Sequence, residues 1–170
     1  MAKSSKSALV TGAAAERQLK TFIAKFSPAD QTRIRGARRL LRRRLPGACE
    51  LVYDNYNFFV IGYGPTDRPS DAVISLAAQA NGLSLCFLHG ATLPDPDRVL
   101  RGEGRQVRSV PLESVGDLER PALQRLLSDA FARGSAPLTG GRGCLIIRSV
   151  SSKQRPRRKP VPSVSRSAPS

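Results

Sequence analysis

The chain has 170 residues and is 40% hydrophobic, which suits one domain with a core of its own. It contains no run of 18 apolar residues, so a membrane-spanning helix is excluded. The net charge of +15 is unevenly spread: residues 1–26 carry +4, residues 27–45 carry seven arginines and Asp30, residues 46–129 sum to −4, and residues 130–170 hold nine cations and no acid. The basic character therefore sits at the two ends of the chain, around a mildly acidic middle.

Residues 1–13 read as a flexible leader. Lys3 and Lys6 precede Ala8-Leu9-Val10, but Thr11 and Gly12 cut that run too short for a signal peptide, and the protein is read as cytoplasmic. Cys49, Cys86 and Cys144 are odd in number and lack Cys-x-x-Cys spacing, so they are expected to be reduced, mostly buried thiols. From Ala14 to Lys25, Leu19, Phe22, Ile23 and Phe26 follow a helical period. Ser27-Pro28 starts a second helix, with serine as N-cap, proline at the first helical position and Asp30 in the first turn. Its apolar stripe is Ile34, Ala37, Leu41 and Leu45, and Pro46-Gly47 ends it. Arg35, Arg39, Arg42 and Arg43 project from the other side. They form either a phosphate-binding ridge or a solvated polar face, and the second reading is preferred because every amphipathic helix needs one.

Glu50 to Tyr63 holds all three tyrosines. Within it, Tyr53-Asp54-Asn55-Tyr56-Asn57 interrupts strand-like sequence and reads as a turn, a bulge or the lip of a pocket. Its aromatic rings beside amides could also stack on a base or sugar. Gly62 and Gly64 lack the remaining residues of a phosphate loop. Ala72–Ala78 and Leu83–Leu88 are expected to pair antiparallel as the central hairpin of the sheet, turning at Asn81-Gly82 through a type I′ turn. His89, the single histidine, has no neighbouring nucleophile or orienting carboxylate in sequence and reads as a loop or core residue.

Leu93-Pro94-Asp95-Pro96-Asp97 is expected to cap a short helical piece through Leu100. Val107–Leu112 reads as a strand. A helix then begins near Leu118–Pro121 and runs to Phe131, burying Leu123, Leu126, Leu127 and Ala130. Residues 135–150 read as a linker plus an edge strand at Cys144–Ile147. Residues 151–170 are rich in Ser, Pro, Lys and Arg, with almost nothing to bury, and are expected to be a disordered basic tail.

The segment from Ala14 to Gly134 resembles the YdhG-like family of small bacterial domains, most of them of unassigned function. The likeness rests on the opening helices with Ser27-Pro28-Ala29-Asp30, on Tyr53-Asp54-Asn55-Tyr56-Asn57 and the central hairpin, then on Phe87-Leu88-His89-Gly90, Leu93-Pro94-Asp95-Pro96 and the Asp117-Leu118 helix. Leu145–Val150 and Lys153–Arg158 are similar to a tail in one branch of the group. The resemblance implies an α+β domain, with helices on one face of an antiparallel sheet. It also implies a non-enzymatic binding or carrier role that extends to iron, since one member is described as a frataxin-like iron chaperone. Asp54, Asp67, Asp71 and His89 are the candidate ligands among the carboxylates of the acidic middle, and oxygen ligands with a histidine suit ferrous iron.

The alternative is sequence-nonspecific nucleic-acid association through Arg148, Lys153, Arg155, Arg157, Arg158, Lys159 and Arg166, which are seven cations without an acid among them. The blander account of that segment is a solubilising tail. An enzyme using Asp54 as acid or base ranks last, because the sequence shows no partner for it.

Overall fold

The computed structural model describes residues 9–161. The fold is α+β, a seven-stranded sheet with three helices packed on one face. The strands are β1 (Val10–Thr11), β2 (Cys49–Asp54), β3 (Phe59–Gly64), β4 (Ile74–Gln79), β5 (Gly82–Phe87), β6 (Arg108–Leu112) and β7 (Leu145–Val150). Their order is β1-β7-β2-β3-β4-β5-β6, and every pairing is antiparallel except that of β2 with β7. The helices are α1 (Gly12–Ile23), α2 (Pro28–Arg44) and α3 (Pro121–Ala132).

The helices form where the apolar period places them. Leu19, Phe22, Ile23 and Phe26 are buried, as are Ile34, Ala37, Leu41 and Leu45 on α2 and Leu123, Leu126, Leu127 and Ala130 on α3. Ser27 caps α2 by accepting from the Asp30 amide at 3.3 Å, and Pro28 occupies the first turn. Side chains alternate along the strands, so Val52, Phe59, Ile61, Ile74, Leu76, Leu85 and Phe87 all face the helices. Phe59 packs against Phe22 and Phe26 with ring centroids 6.3 and 5.9 Å apart. Burying a side chain of this size is worth about 1.5–3 kcal/mol. Gly36 lets α2 approach a one-turn helix at Val115–Glu119: a Cβ at residue 36 would lie 2.6 Å from Val115 Cγ2.

Several expectations need correction. The leader does not extend to residue 13: Val10–Thr11 pair with β7 and α1 begins at Gly12, while residues 1–8 lie outside the described residues. The β4–β5 hairpin forms and is antiparallel, but β3 rather than this hairpin is the middle of the sheet. Its turn falls one residue early. Gln79 pairs with Gly82, so Ala80 and Asn81 are the loop residues, and neither has the positive φ that a type I′ turn needs; Gly82 has, at +141°. No helical piece follows Asp95. Its carboxylate instead accepts from the Val99 and Leu100 amides at 3.0 and 2.9 Å, closing a local turn.

The C-terminal part departs furthest. β7 is not an edge strand, because it inserts between β1 and β2 and runs parallel to β2. Residues 151–158 are not a disordered tail; they bond to the domain, with Arg157 buried to 4% exposure, while residues 159–161 are exposed. Residues 162–170, including Arg166, lie outside the described residues. Cys49 and Cys144 are not free thiols. They start the parallel β2–β7 pair with Cα atoms 4.4 Å apart and are joined as a disulfide across 95 residues of sequence, leaving Cys86 as the free cysteine. A bridge closing so long a loop removes about 4–5 kcal/mol of unfolded-state entropy in the chain-entropy model. Urea unfolding with and without dithiothreitol should therefore show the reduced protein less stable by roughly 3–5 kcal/mol. Coincident unfolding curves would contradict a structural disulfide.

Candidate functional site

Tyr53 and Asp54 end β2 and Asn55–Asn57 begin the turn to β3, and the structure uses this stretch as an anchor rather than as the lip of a pocket. Asp54 ends β2 on the helix face and is fully buried. Its carboxylate takes Lys25 Nζ at 2.7 Å and Arg157 Nη2 at 3.0 Å. Gln154 donates to the Asp54 backbone carbonyl at 2.9 Å, Arg155 N donates to Tyr56 O at 2.9 Å, and Ser149 Oγ donates to Asn55 Oδ1 at 2.7 Å. The Arg155 guanidinium also lies over the Tyr56 ring, 5.7 Å from its centroid. A buried carboxylate held by two cations is desolvated and inaccessible, so an acid–base role for Asp54 has no route to a substrate.

A second buried ionic group escapes sequence reading. Arg38, on the inner edge of the arginine-rich helix, is 9% exposed. It donates to Glu16 at 2.6 and 2.9 Å and to Glu50 at 2.8 and 2.9 Å, so that one guanidinium ties α1, α2 and β2 together. The hydrogen bonds from Arg38 hold the Glu16 carboxyl below the usual carboxylate range, against a smaller opposing effect of burial. Burial alone would pull Arg38 down, but its bonds to Glu16 and Glu50 outweigh that and raise it. Tyr63 faces Glu50 across the β2–β3 pair, and burial followed by the Glu50 charge pushes its phenol well up.

A cavity of about 540 Å³ lies at the open end of β4 and β5 beside the C-terminus of α3. Val73, Phe87 and Ala130 give it an apolar lining, and His89, Arg105 and Arg133 add exposed polar groups. The chain turns out of β5 at Leu88–Gly90 into a one-turn helix at Gly90–Thr92, which brings His89 to the groove. Arg133, just past α3, donates to the Thr92 carbonyl at 2.7 Å; among the described residues Arg105 has no hydrogen-bond or ion-pair partner. Asp71 also lines the groove. It accepts from Thr66 Oγ1 at 2.6 Å and lies 3.3 Å from Arg68 Nε. The Thr66 hydroxyl chiefly, with Ser135 and Arg68 adding, holds its carboxyl below the usual range against burial.

Of the four candidate metal ligands, Asp71 and His89 thus share a groove, Asp54 is committed to Lys25 and Arg157, and Asp67 is an exposed loop residue that does not line it. Among the described residues no group of three or more His, Cys, Asp or Glu side chains is placed to hold a metal ion. The candidate nucleic-acid residues separate as well. Arg148 is half-buried in β7, Arg157 is buried on Asp54, and Arg158 donates to the Lys25 carbonyl at 3.2 Å, while Lys153, Arg155 and Lys159 are exposed.

No helix among the described residues is long and apolar enough to cross a membrane. Comparison of the chain with protein-family models, curated proteins and solved structures finds no match.

The Arg38 cluster has a pH signature. Glu16 has a lowered folded-state pKa, so the stability it contributes is complete above the ordinary carboxylate range and is lost as pH falls through the lowered value. Its carboxylate is more than a third exposed, and solvent screening limits its contribution to roughly 1 kcal/mol. Urea titrations of the wild type and Glu16→Gln should differ by about that much at pH 7 and converge towards pH 3. A gap independent of pH would contradict the assignment.

Proposed function

We propose that this chain is a non-enzymatic binding domain that holds a small amphipathic anion in the groove between the β4–β5 end and α3. The observation that carries the reading is the meeting of Arg105, Arg133 and His89 with an apolar lining in a cavity of about 540 Å³. That volume falls within the range of small-ligand sites, and an apolar lining with a few convergent polar groups is their usual chemistry. Guanidinium groups favour a carboxylate, sulfonate or phosphate head, which Arg binds in a planar fork. Val73, Phe87 and Ala130 would cover the apolar body of the ligand.

A holding role is favoured over a reacting one because, among the described residues, the His89 imidazole makes no hydrogen bond to a carboxylate or a hydroxyl; the Thr92 hydroxyl donates to the His89 backbone carbonyl instead, at 3.1 Å. An iron-carrying role would draw on Asp71 and His89. The same groove brings two guanidinium groups towards any cation placed there, which disfavours it electrostatically. Nucleic-acid association through residues 148–159 would keep Lys153, Arg155 and Lys159 but lose Arg157 to Asp54.

The test uses 8-anilinonaphthalene-1-sulfonate, which carries aromatic rings and one anionic head. Fluorescence titration of the native protein should show saturable binding at one site. Charge-assisted hydrogen bonds are worth about 1.5–3 kcal/mol each, so Arg105→Ala with Arg133→Ala should weaken it by at least about tenfold. Absence of saturable binding, or equal affinity in the double variant, would overturn the proposal.

A further inference from the structure

Beyond the β4–β5 groove, a second concave surface of about 510 Å³ runs between α1 and α2. Lys20 comes from α1 and Arg35, Arg39, Arg42 and Arg43 from α2; the acid in its wall is Glu16. The charge balance there is lopsided in a specific way. Glu16 and the underlying Glu50 are both taken by Arg38, and Arg42 adds a second cation 3.6 Å from Glu50. Two acids are therefore matched by two arginines. Lys20, Arg35, Arg39 and Arg43 remain exposed with no ion-pair partner among the described residues, Arg35 bonding only the neutral Gln31 side chain at 3.2 Å.

Arg35, Arg39 and Arg43 are spaced at i, i+4 and i+8. The helical rise places them about 6 Å apart along one face. Like charges at this spacing repel and cost a helix stability, a cost that a solvated face of mixed sign avoids. A polyanion laid along the row relieves that repulsion, and duplex nucleic acid offers one negative charge per about 1.7 Å of axis. We propose that the α1–α2 cleft binds the phosphodiester backbone of duplex nucleic acid without reading its sequence.

The surface chemistry favours this occupant over an anionic membrane. Interfacial membrane binding buries an apolar face. The large apolar side chains exposed among the described residues are Leu9, Tyr56, Phe58, Val107, Val150 and Val161, and none of them lines the cleft. The site is also distinct from the C-terminal cations, since none of residues 148–161 contributes to it.

The experiment is fluorescence anisotropy of the full chain with a labelled 20-base-pair DNA duplex, an RNA duplex of the same length, and phosphatidylserine-containing vesicles, from 50 to 200 mM salt. About four phosphate contacts give an expected log–log salt slope of roughly −3 to −4 on DNA. Arg39→Glu with Arg43→Glu should lower duplex affinity about thirtyfold or more and reduce the slope by roughly 2. Lys153→Glu with Lys159→Glu makes the same change in net charge and should cost less than about threefold if binding is local to the cleft. Binding of either duplex supports the proposal and tells which nucleic acid is held.

Equal losses in the two charge-reversed pairs would overturn it, as would a larger loss from the C-terminal pair, no duplex binding at 100 mM salt, or cleft-dependent binding to vesicles in place of duplex. Should the reversed cleft variant fail to give the wild-type circular dichroism spectrum, Arg39→Gln with Arg43→Gln replaces it, with an expected loss of about tenfold and a slope reduced by roughly 2. Unchanged affinity in that variant overturns the proposal equally.

Discussion

The structure depends on the return of β7, the last strand among the described residues, into the sheet between β1 and β2. Without β7, β1 has no neighbour and β2 becomes an exposed edge, which a sheet must cover or blunt. The same pairing brings Cys144 to Cys49 and carries the following residues across the β2–β3 turn. There the buried Asp54 carboxylate meets Lys25 from the turn after α1 and Arg157 from the C-terminal segment. Ion pairs of this kind contribute little net stability against apolar replacements of equal volume, but breaking one leaves an uncompensated buried charge at about 3–5 kcal/mol. The arrangement therefore fixes position: it holds α1, the hairpin and the C-terminal segment in one geometry.

Arg38 plays the corresponding part at the other end of β2, where Glu16 and Glu50 hold it between two helices and the sheet. Together the two ionic clusters divide the basic residues into those spent on the fold and those left at the surface. Arg38 and Arg157 are spent. Arg35, Arg39 and Arg43 on α2 and Arg105 and Arg133 around the β4–β5 groove have no ion-pair partner among the described residues and can meet anions. Part of the net charge of +15 thus falls on two separated surfaces of different shape, one an apolar-lined groove and the other a row of guanidinium groups along a cleft. Their chemistry suits different partners: a compact amphiphile in the first and an extended polyanion on the second.

The three helices were legible because their stripes repeat at the helical period and local signals such as Ser27-Pro28 mark their ends. The β4–β5 pair was legible from its alternation, although its turn was not: Asn-Gly suggests type I′ only if both residues form the loop, and here Gly82 already pairs with Gln79. The place of β7 was not legible, since a short apolar strand carries no record of which edge or gap it fills. The Cys49–Cys144 bond follows from that placement and shares its obscurity. Residues 151–158 read as disordered in sequence because they offer almost no apolar surface to bury. Their anchoring comes from Arg157, Gln154 and the Arg155 amide, whose partners lie about a hundred positions earlier. Arg38 was hidden among seven arginines in nineteen residues, and only three-dimensional proximity to Glu16 and Glu50 distinguishes it. In the candidate groove, His89 and Asp71 stand out in sequence, whereas Arg105 and Arg133 come to the same groove from just before β6 and just after α3, which sequence spacing does not connect.

That the C-terminal segment belongs to the fold is tested most directly by native-state hydrogen exchange resolved to single amides. The account predicts that the Leu145–Val150 amides bonded to β1 and β2 exchange as slowly as those of the β2–β3 pair, with the Arg155 amide, bonded to Tyr56 O, slowed as well. Exchange of residues 145–157 at the rate of an unstructured peptide would contradict it.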